Sequence, residues 1–126
     1  MHKFADLSVL LLEDEYLIAL DAKQILQTLG IDKVEIVATL DDAEKRAEDG
    51  QFDLAVLDVN INGKFSFPIA RSFGRRGIPV VFASGYELRD RTLSDFENAV
   101  CVTKPYTSAC LKKAVSAALA KGAAKQ

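Results

Sequence analysis

The sequence predicts one α/β domain, an open parallel sheet covered by helices on both sides. Three observations predict it. Five short apolar runs end in charged or small polar residues, helical apolar spacing lies between them, and 126 residues suffice for a single sizeable core. A hydrophobic content of 49% with 27% charged residues is that of a globular chain.

The first run, "LSVLLL" (Leu7 to Leu12), is too short for most helices and continuously apolar, as a strand buried on both faces must be. Ile18, Ala22, Ile25 and Leu29 then recur at helical spacing, and Gly30 supplies a stop. "KVEIVA" is a second strand. "TLDDAEKRAEDG" is a polar helix with Leu40, Ala43 and Ala47 on one face, and "DLAVLD" is a third strand. Phe65, Ile69 and Phe73, four apart, suggest a third helix that "RRGIP" ends. "PVVFAS" is the fourth strand. "YELRDRTLSDFENA" reads as a weaker fourth helix, "VCVT" as a short fifth strand, and Leu111, Val115 and Leu119 as a final helix beginning after Thr107 or Ser108. No repeat, linker or internal boundary interrupts the pattern, so residues 1–126 form one domain with a core of about 6–121 and disorder-leaning ends.

Several function classes drop out. A net charge of −2 gives no electrostatic reason to expect nucleic acid or an anionic membrane as partner. No apolar run is long enough to span a bilayer, and no signal segment opens the chain. Two cysteines are too few and unpatterned for a disulfide framework or a zinc site, which points to a reduced, cytoplasmic compartment. Cys101 reads as a small buried core residue and Cys110 as a helix position. The one histidine, His2, sits at the N-terminus, which removes most of the case for histidine-based catalysis, metal binding or phosphotransfer within the chain.

In open parallel sheets ligands sit beyond the carboxyl ends of the strands. The residues there are Glu13, Asp14, Asp58, Ser84 and Lys104, from four separate parts of the sequence. Three carboxylates brought together repel unless positive charge compensates them. Lys104 supplies one charge, and a divalent cation suits the rest; carboxylate, carbonyl and water ligands favour Mg²⁺, with Mn²⁺ possible. A nucleophilic carboxylate beside a cation, a lysine and a serine hydroxyl is what transfer of a phosphoryl group to aspartate requires.

The strand-end motifs "LLEDE", "LDVN", "FASGY" and "TKPY" together resemble those of the bacterial response-regulator receiver domain, in order and over nearly the whole chain. The resemblance implies a doubly wound, flavodoxin-like fold of five strands and five helices, with strand order 2-1-3-4-5. It makes Asp58 the phosphoacceptor and Lys104 the phosphate-contacting lysine, with Ser84 at the hydroxyl position. Asp14 and Asp58 become Mg²⁺ ligands, joined by the backbone carbonyl of Asn60 and, through water, by Glu13. Ser84, Gly85 and Tyr86 occupy the switch or gate, and Pro105 resembles a lysine-orienting cis-proline.

Two departures stand out. Cys101 lies three residues before the lysine, where many receivers carry an aromatic switch residue, and "NINGKFSFPIA" replaces the usual Met-Pro loop after Asp58. Both features, with Tyr86 inside "FASGY", are similar to a receiver subgroup with a Phe-Ala-Thr-Gly-x-Tyr signature. Tyr86 is either a switch side chain or a packing aromatic.

Two other readings fail. "DVNING" opens like an EF-hand loop, but the twelfth position, where calcium needs a bidentate glutamate, is Ile69. A phosphatase with an Asp nucleophile wants a second acid two positions on and meets Asn60. The implied protein is a signalling phosphoacceptor, not an enzyme. Its expected partners are a sensor histidine kinase or histidine phosphotransfer protein and a downstream protein target, with the chain a monomer or weak dimer. With no output module after the last helix, output is expected through protein contacts: shuttling phosphate in a relay, acting as a phosphate sink, or binding a target through the face of the fourth strand, fourth helix and fifth strand. The competing reading is a degenerate receiver that binds a partner constitutively without phosphorylation.

Overall fold

The computed structural model describes residues 4–85, 100–104 and 107–124. Seven strands and four helices occur among them, in this order: β1 (Ser8–Leu12), α1 (Tyr16–Thr28), β2 (Lys33–Val37), α2 (Leu40–Asp49), β3 (Leu54–Asp58), β4 (Asn60–Ile61), β5 (Lys64–Phe65), α3 (Phe67–Arg75), β6 (Val80–Ser84), β7 (Val100–Thr103) and α4 (Ser108–Ala124). The central sheet runs β2-β1-β3-β6-β7 with every pairing parallel, and β4 and β5 form a separate antiparallel hairpin. The architecture is flavodoxin-like.

Strand alternation builds two cores. Val9 and Leu11, Leu54 and Val56, Val81 and Ala83, and Val102 project to one face, against α1 and α4. Leu10 and Leu12, Ala55 and Leu57, and Val80 and Phe82 project to the other, against α2 and α3. Both faces of the sheet are covered, which is why the strands read as unbroken apolar runs.

Local chemistry sets the helix ends. Thr39 caps α2, its Oγ1 accepting the Asp42 N–H at 3.1 Å. Thr107 does the same for α4, with the Cys110 N–H at 3.1 Å. Helices α1 and α3 end in paired closing bonds. Ile31 N–H donates to Leu26 and Gly30 N–H to Gln27; Ile78 N–H donates to Phe73 and Gly77 N–H to Gly74. Gly77 takes φ +74, the left-handed conformation this closure needs.

Three expectations change. Four helices, not five, occur among the described residues, because the expected fourth helix of 86–99 lies outside them. The third helix begins at Phe67, not Phe65. Residues 60–65 form the hairpin instead, and Phe65, exposed in β5, stacks on Phe67 with ring centroids 5.6 Å apart. Cys101 is exposed rather than buried. Strand β7 is the sheet edge, where Val102 turns to the core and Cys101 points the other way.

Phe82 is fully buried and meets Phe67 edge to face at 5.5 Å. Phe82→Ala should therefore lower unfolding free energy by about 3–5 kcal/mol, seen in urea as a lower midpoint with unchanged slope.

Candidate functional site

Strand register assembles the site. Leu12 pairs with Leu57, so the next residues, Glu13 and Asp58, lie side by side. Asp58 pairs in turn with Ala83 on β6, and Ser84 with Thr103 on β7. Backbone bonds continue past the strand ends: Glu13 N–H to Val37 C=O at 3.0 Å, Val59 N–H to Ala83 C=O at 2.9 Å and Lys104 N–H to Ser84 C=O at 2.7 Å. Glu13, Asp58, Ser84 and Lys104 are thus tied to the ladder or lie directly beside its bonds.

Lys104 Nζ donates to Glu13 Oε1 at 2.6 Å and to Asp58 Oδ2 at 2.9 Å. It joins two carboxylates that are both buried, Glu13 with only 2% of its surface exposed. Asp14 adds a third; carboxylate oxygens of Glu13, Asp14 and Asp58 lie within 4.8 Å of one another. Lys104 reaches two of the three, so the cluster keeps an excess of negative charge. Oxygen donors so placed could bind a metal ion.

The hairpin shapes the other side of the site. Ile61 pairs with Lys64 across the Asn62-Gly63 turn, and Asn60 pairs with Phe65. The Ser66 N–H donates to Val59 C=O at 2.9 Å. Cross-strand bonds alternate in an antiparallel pair, so with Val59 bonded to Ser66 the Asn60 N–H and C=O point away from β5. The Asn60 N–H makes a long contact, 3.4 Å, with Asp58 Oδ1, leaving its carbonyl on the same outward edge.

Burial pushes the Glu13 carboxyl from 4.5 to about 7. Hydrogen bonds from Lys104 and the Glu15 N–H pull against that rise, and the Asp58 charge adds to it. Burial works against the Lys104 ammonium too, but its hydrogen bonds to Glu13 and Asp58 prevail and hold it above the usual lysine value.

Of the residues expected from sequence, Glu13, Asp14, Asp58 and Lys104 meet directly. Asn60 borders them, and Ser84 is buried one position beyond the residue paired with Asp58. Gly85 is exposed, with open space where a Cβ would stand. Tyr86 and Pro105 lie outside the described residues. Sequence reasoning missed Asn62, whose N–H donates to Asp14 Oδ2 at 3.1 Å. The signal was available, since Asn-Gly between short apolar segments is a strong hairpin marker.

No family model matches the chain, and no curated protein matches it. Solved structures do. SdrG from Sphingomonas melonis Fr1 is 36% identical with a TM-score of 0.75, the match covering 91% of this chain and 98% of that one. The response regulator PhyR from Brucella abortus is 26% identical with a TM-score of 0.79, over 95% of this chain and 50% of PhyR. The chain belongs to the response-regulator receiver family. A CheY-like receiver domain protein from Methanospirillum hungatei JF-1, 22% identical, shares the fold at a TM-score of 0.80 over 96% of this chain and 100% of that one. This receiver spans about half the length of PhyR.

The raised Glu13 carboxyl fixes a pH dependence. A folded pKa of about 7 against 4.5 means the folded state holds the extra proton between those values. The Glu13 contribution to stability is therefore fully present below pH 4.5 and lost as pH rises through about 7. Without divalent cation, carbon NMR should give Glu13 a midpoint near 7. Unfolding free energies of Glu13→Gln relative to the parent should shift in favour of the variant across the same window.

Proposed function

We propose that this receiver accepts a phosphoryl group on Asp58 from a phosphohistidine and signals through protein contacts, without being an enzyme. The observation that carries the proposal is the Lys104 ammonium held at 2.9 Å from Asp58 Oδ2, beside Glu13, Asp14 and the buried Ser84. A carboxylate oxygen of Asp58 attacks phosphorus, the P–O bond forms as the P–N bond breaks, and the imidazole leaves with the electron pair of the broken bond. Lys104 faces the oxygens that gain charge, and the Ser84 hydroxyl is placed to donate to one of them. Mg²⁺, or Mn²⁺ on the same donor set, would be held by Asp14, Asp58 and the Asn60 carbonyl, with Glu13 acting through water, and would neutralise phosphoryl charge.

Other features support the reading. SdrG has a BeF3-activated conformation at 36% identity to this chain; trifluoroberyllate is tetrahedral like a phosphoryl group, and the same adduct is expected on Asp58. Beside Asp14, helix α1 opens with Tyr16 and Leu17, 69% and 80% exposed, an apolar footing for a partner that brings its phosphohistidine to the site. That partner is a sensor histidine kinase or a histidine phosphotransfer protein, and a second protein receives the output, in a cytoplasmic setting. "FASGY" and the loop after Asp58 support kinship with the Phe-Ala-Thr-Gly-x-Tyr receivers, in which Tyr86 would be the switch side chain in place of an aromatic at Cys101.

Incubation with Mg²⁺ and acetyl phosphate should add one phosphoryl group to the intact mass. Asp58→Asn should abolish the gain, and Lys104→Ala should slow it by on the order of a hundredfold. A parent protein that gains nothing at any donor concentration would turn the reading to a constitutive binding module. Tyr86→Ala should alter phosphate lifetime or partner affinity; if both stay at parent values, Tyr86 is a packing residue.

A further inference from the structure

Asp14 differs from its two acidic neighbours. Lys104 holds Glu13 and Asp58 through direct hydrogen bonds, whereas the Asp14 carboxylate accepts from a backbone N–H of the hairpin. We infer that the Asn62-Gly63 turn is a positioning element for Asp14, fixing this carboxylate before a cation arrives. The inference rests on the cation reading given above.

The turn is built to be rigid. Asn62 and Gly63 take φ +52 and +86, the two left-handed residues of the tight turn that matches strand twist, and asparagine and glycine are the residues that tolerate it. Gly63 N–H donates to Asn60 Oδ1 at 2.9 Å, tying the tip to the residue after Val59. Ile61 is 2% exposed and anchors the hairpin in the core, while Ser66 closes its neck on Val59. The Asn62 N–H therefore sits on a frame pinned at tip, side and base.

A backbone donor so fixed differs from a side-chain donor. It has no rotamers to lose, and its bond to Asp14 Oδ2 at 3.1 Å removes rotamer freedom from a half-buried carboxylate at a strand-helix junction. Ordering a ligand in advance lowers the cost of binding, and outer partners of metal ligands commonly change affinity by about 10–100-fold. The hairpin also carries Asn60, so one frame sets two of the groups expected around the cation.

Two glycines make a clean comparison. Gly63 at φ +86 and Gly77 at φ +74 both require the left-handed conformation, and a Cβ on either meets nothing within 4 Å. Alanine at each site acts through backbone strain alone. Gly77 closes α3 at the far end of the sheet from the acids, so it reports strain without the turn's effect on Asp14.

Mg²⁺ binding should be measured by calorimetry on the parent, Gly63→Ala and Gly77→Ala, with thermal unfolding alongside. Gly63→Ala should weaken Mg²⁺ about tenfold and Gly77→Ala less than twofold, although both lose similar thermal stability. Hydrogen exchange of the Asn62 amide, followed without metal, should accelerate in Asp14→Ala. This measurement stands even where Gly63→Ala does not fold. Parent-like Mg²⁺ affinity in a folded Gly63→Ala, or an Asn62 amide indifferent to Asp14→Ala, would overturn the inference alone. A parent that takes up no Mg²⁺ would overturn the cation reading and this inference together.

Discussion

The Lys104 ammonium lies between two buried carboxylates, 2.6 Å from Glu13 and 2.9 Å from Asp58, and the sheet is arranged so that it can. Lys104 follows β7, Glu13 follows β1 and Asp58 ends β3, and β6 stands between β7 and β3. Their meeting needs three registers to hold at once. A slip of one residue in any strand would turn its side chains to the opposite face and remove one member of the triad. The backbone bonds running past the strand ends, at Val37, Ala83 and Ser84, guard against that slip at the positions where chemistry is placed.

Such an arrangement is poor economy for stability alone. Desolvating buried charges costs several kcal/mol per ion, and a buried pair often gains nothing over an apolar replacement. The Glu13 carboxyl carries the evidence of that cost in its pKa of about 7. One ammonium bonds two of the three carboxylates and leaves Asp14 to a backbone N–H, so negative charge at the cluster exceeds positive. Apolar side chains at these strand ends would give a firmer edge and no reactive carboxylate. Under the proposed function, that cost is the condition of keeping Asp58 reactive.

Much of this was legible in sequence because both sheet faces are covered. Unbroken runs such as "LSVLLL" and "PVVFAS" announce buried parallel strands, and their last residues announce the site. Legibility failed where a residue's surroundings come from elsewhere in the chain. Phe65 falls into step with Ile69 and Phe73 at helical spacing, yet the Asn62-Gly63 turn takes it into β5, and Pro68 near the start of α3 helps fix where the helix begins. Cys101 reads as core by residue type, but at a sheet edge the apolar alternation of β7 serves one face only. The contact between Asn62 and Asp14 spans 48 positions, beyond any local pattern.

The apparent calcium loop at "DVNING" carries a related lesson about what a short motif encodes. A calcium loop and this hairpin share a need: a sharp turn at a glycine that brings the backbone close to carboxylates. Gly63 at φ +86 and the Asn62 N–H on Asp14 meet that need. In a calcium loop the acids then come from the same twelve residues. Here the motif supplies Asp58 alone; Asp14, which the Asn62 N–H meets, and Glu13 follow another strand, and Lys104 bonds Glu13 and Asp58, so the charge balance of the cluster belongs to the sheet. The six residues encode a turn facing acids; only the topology decides which acids, and with them what the site can do.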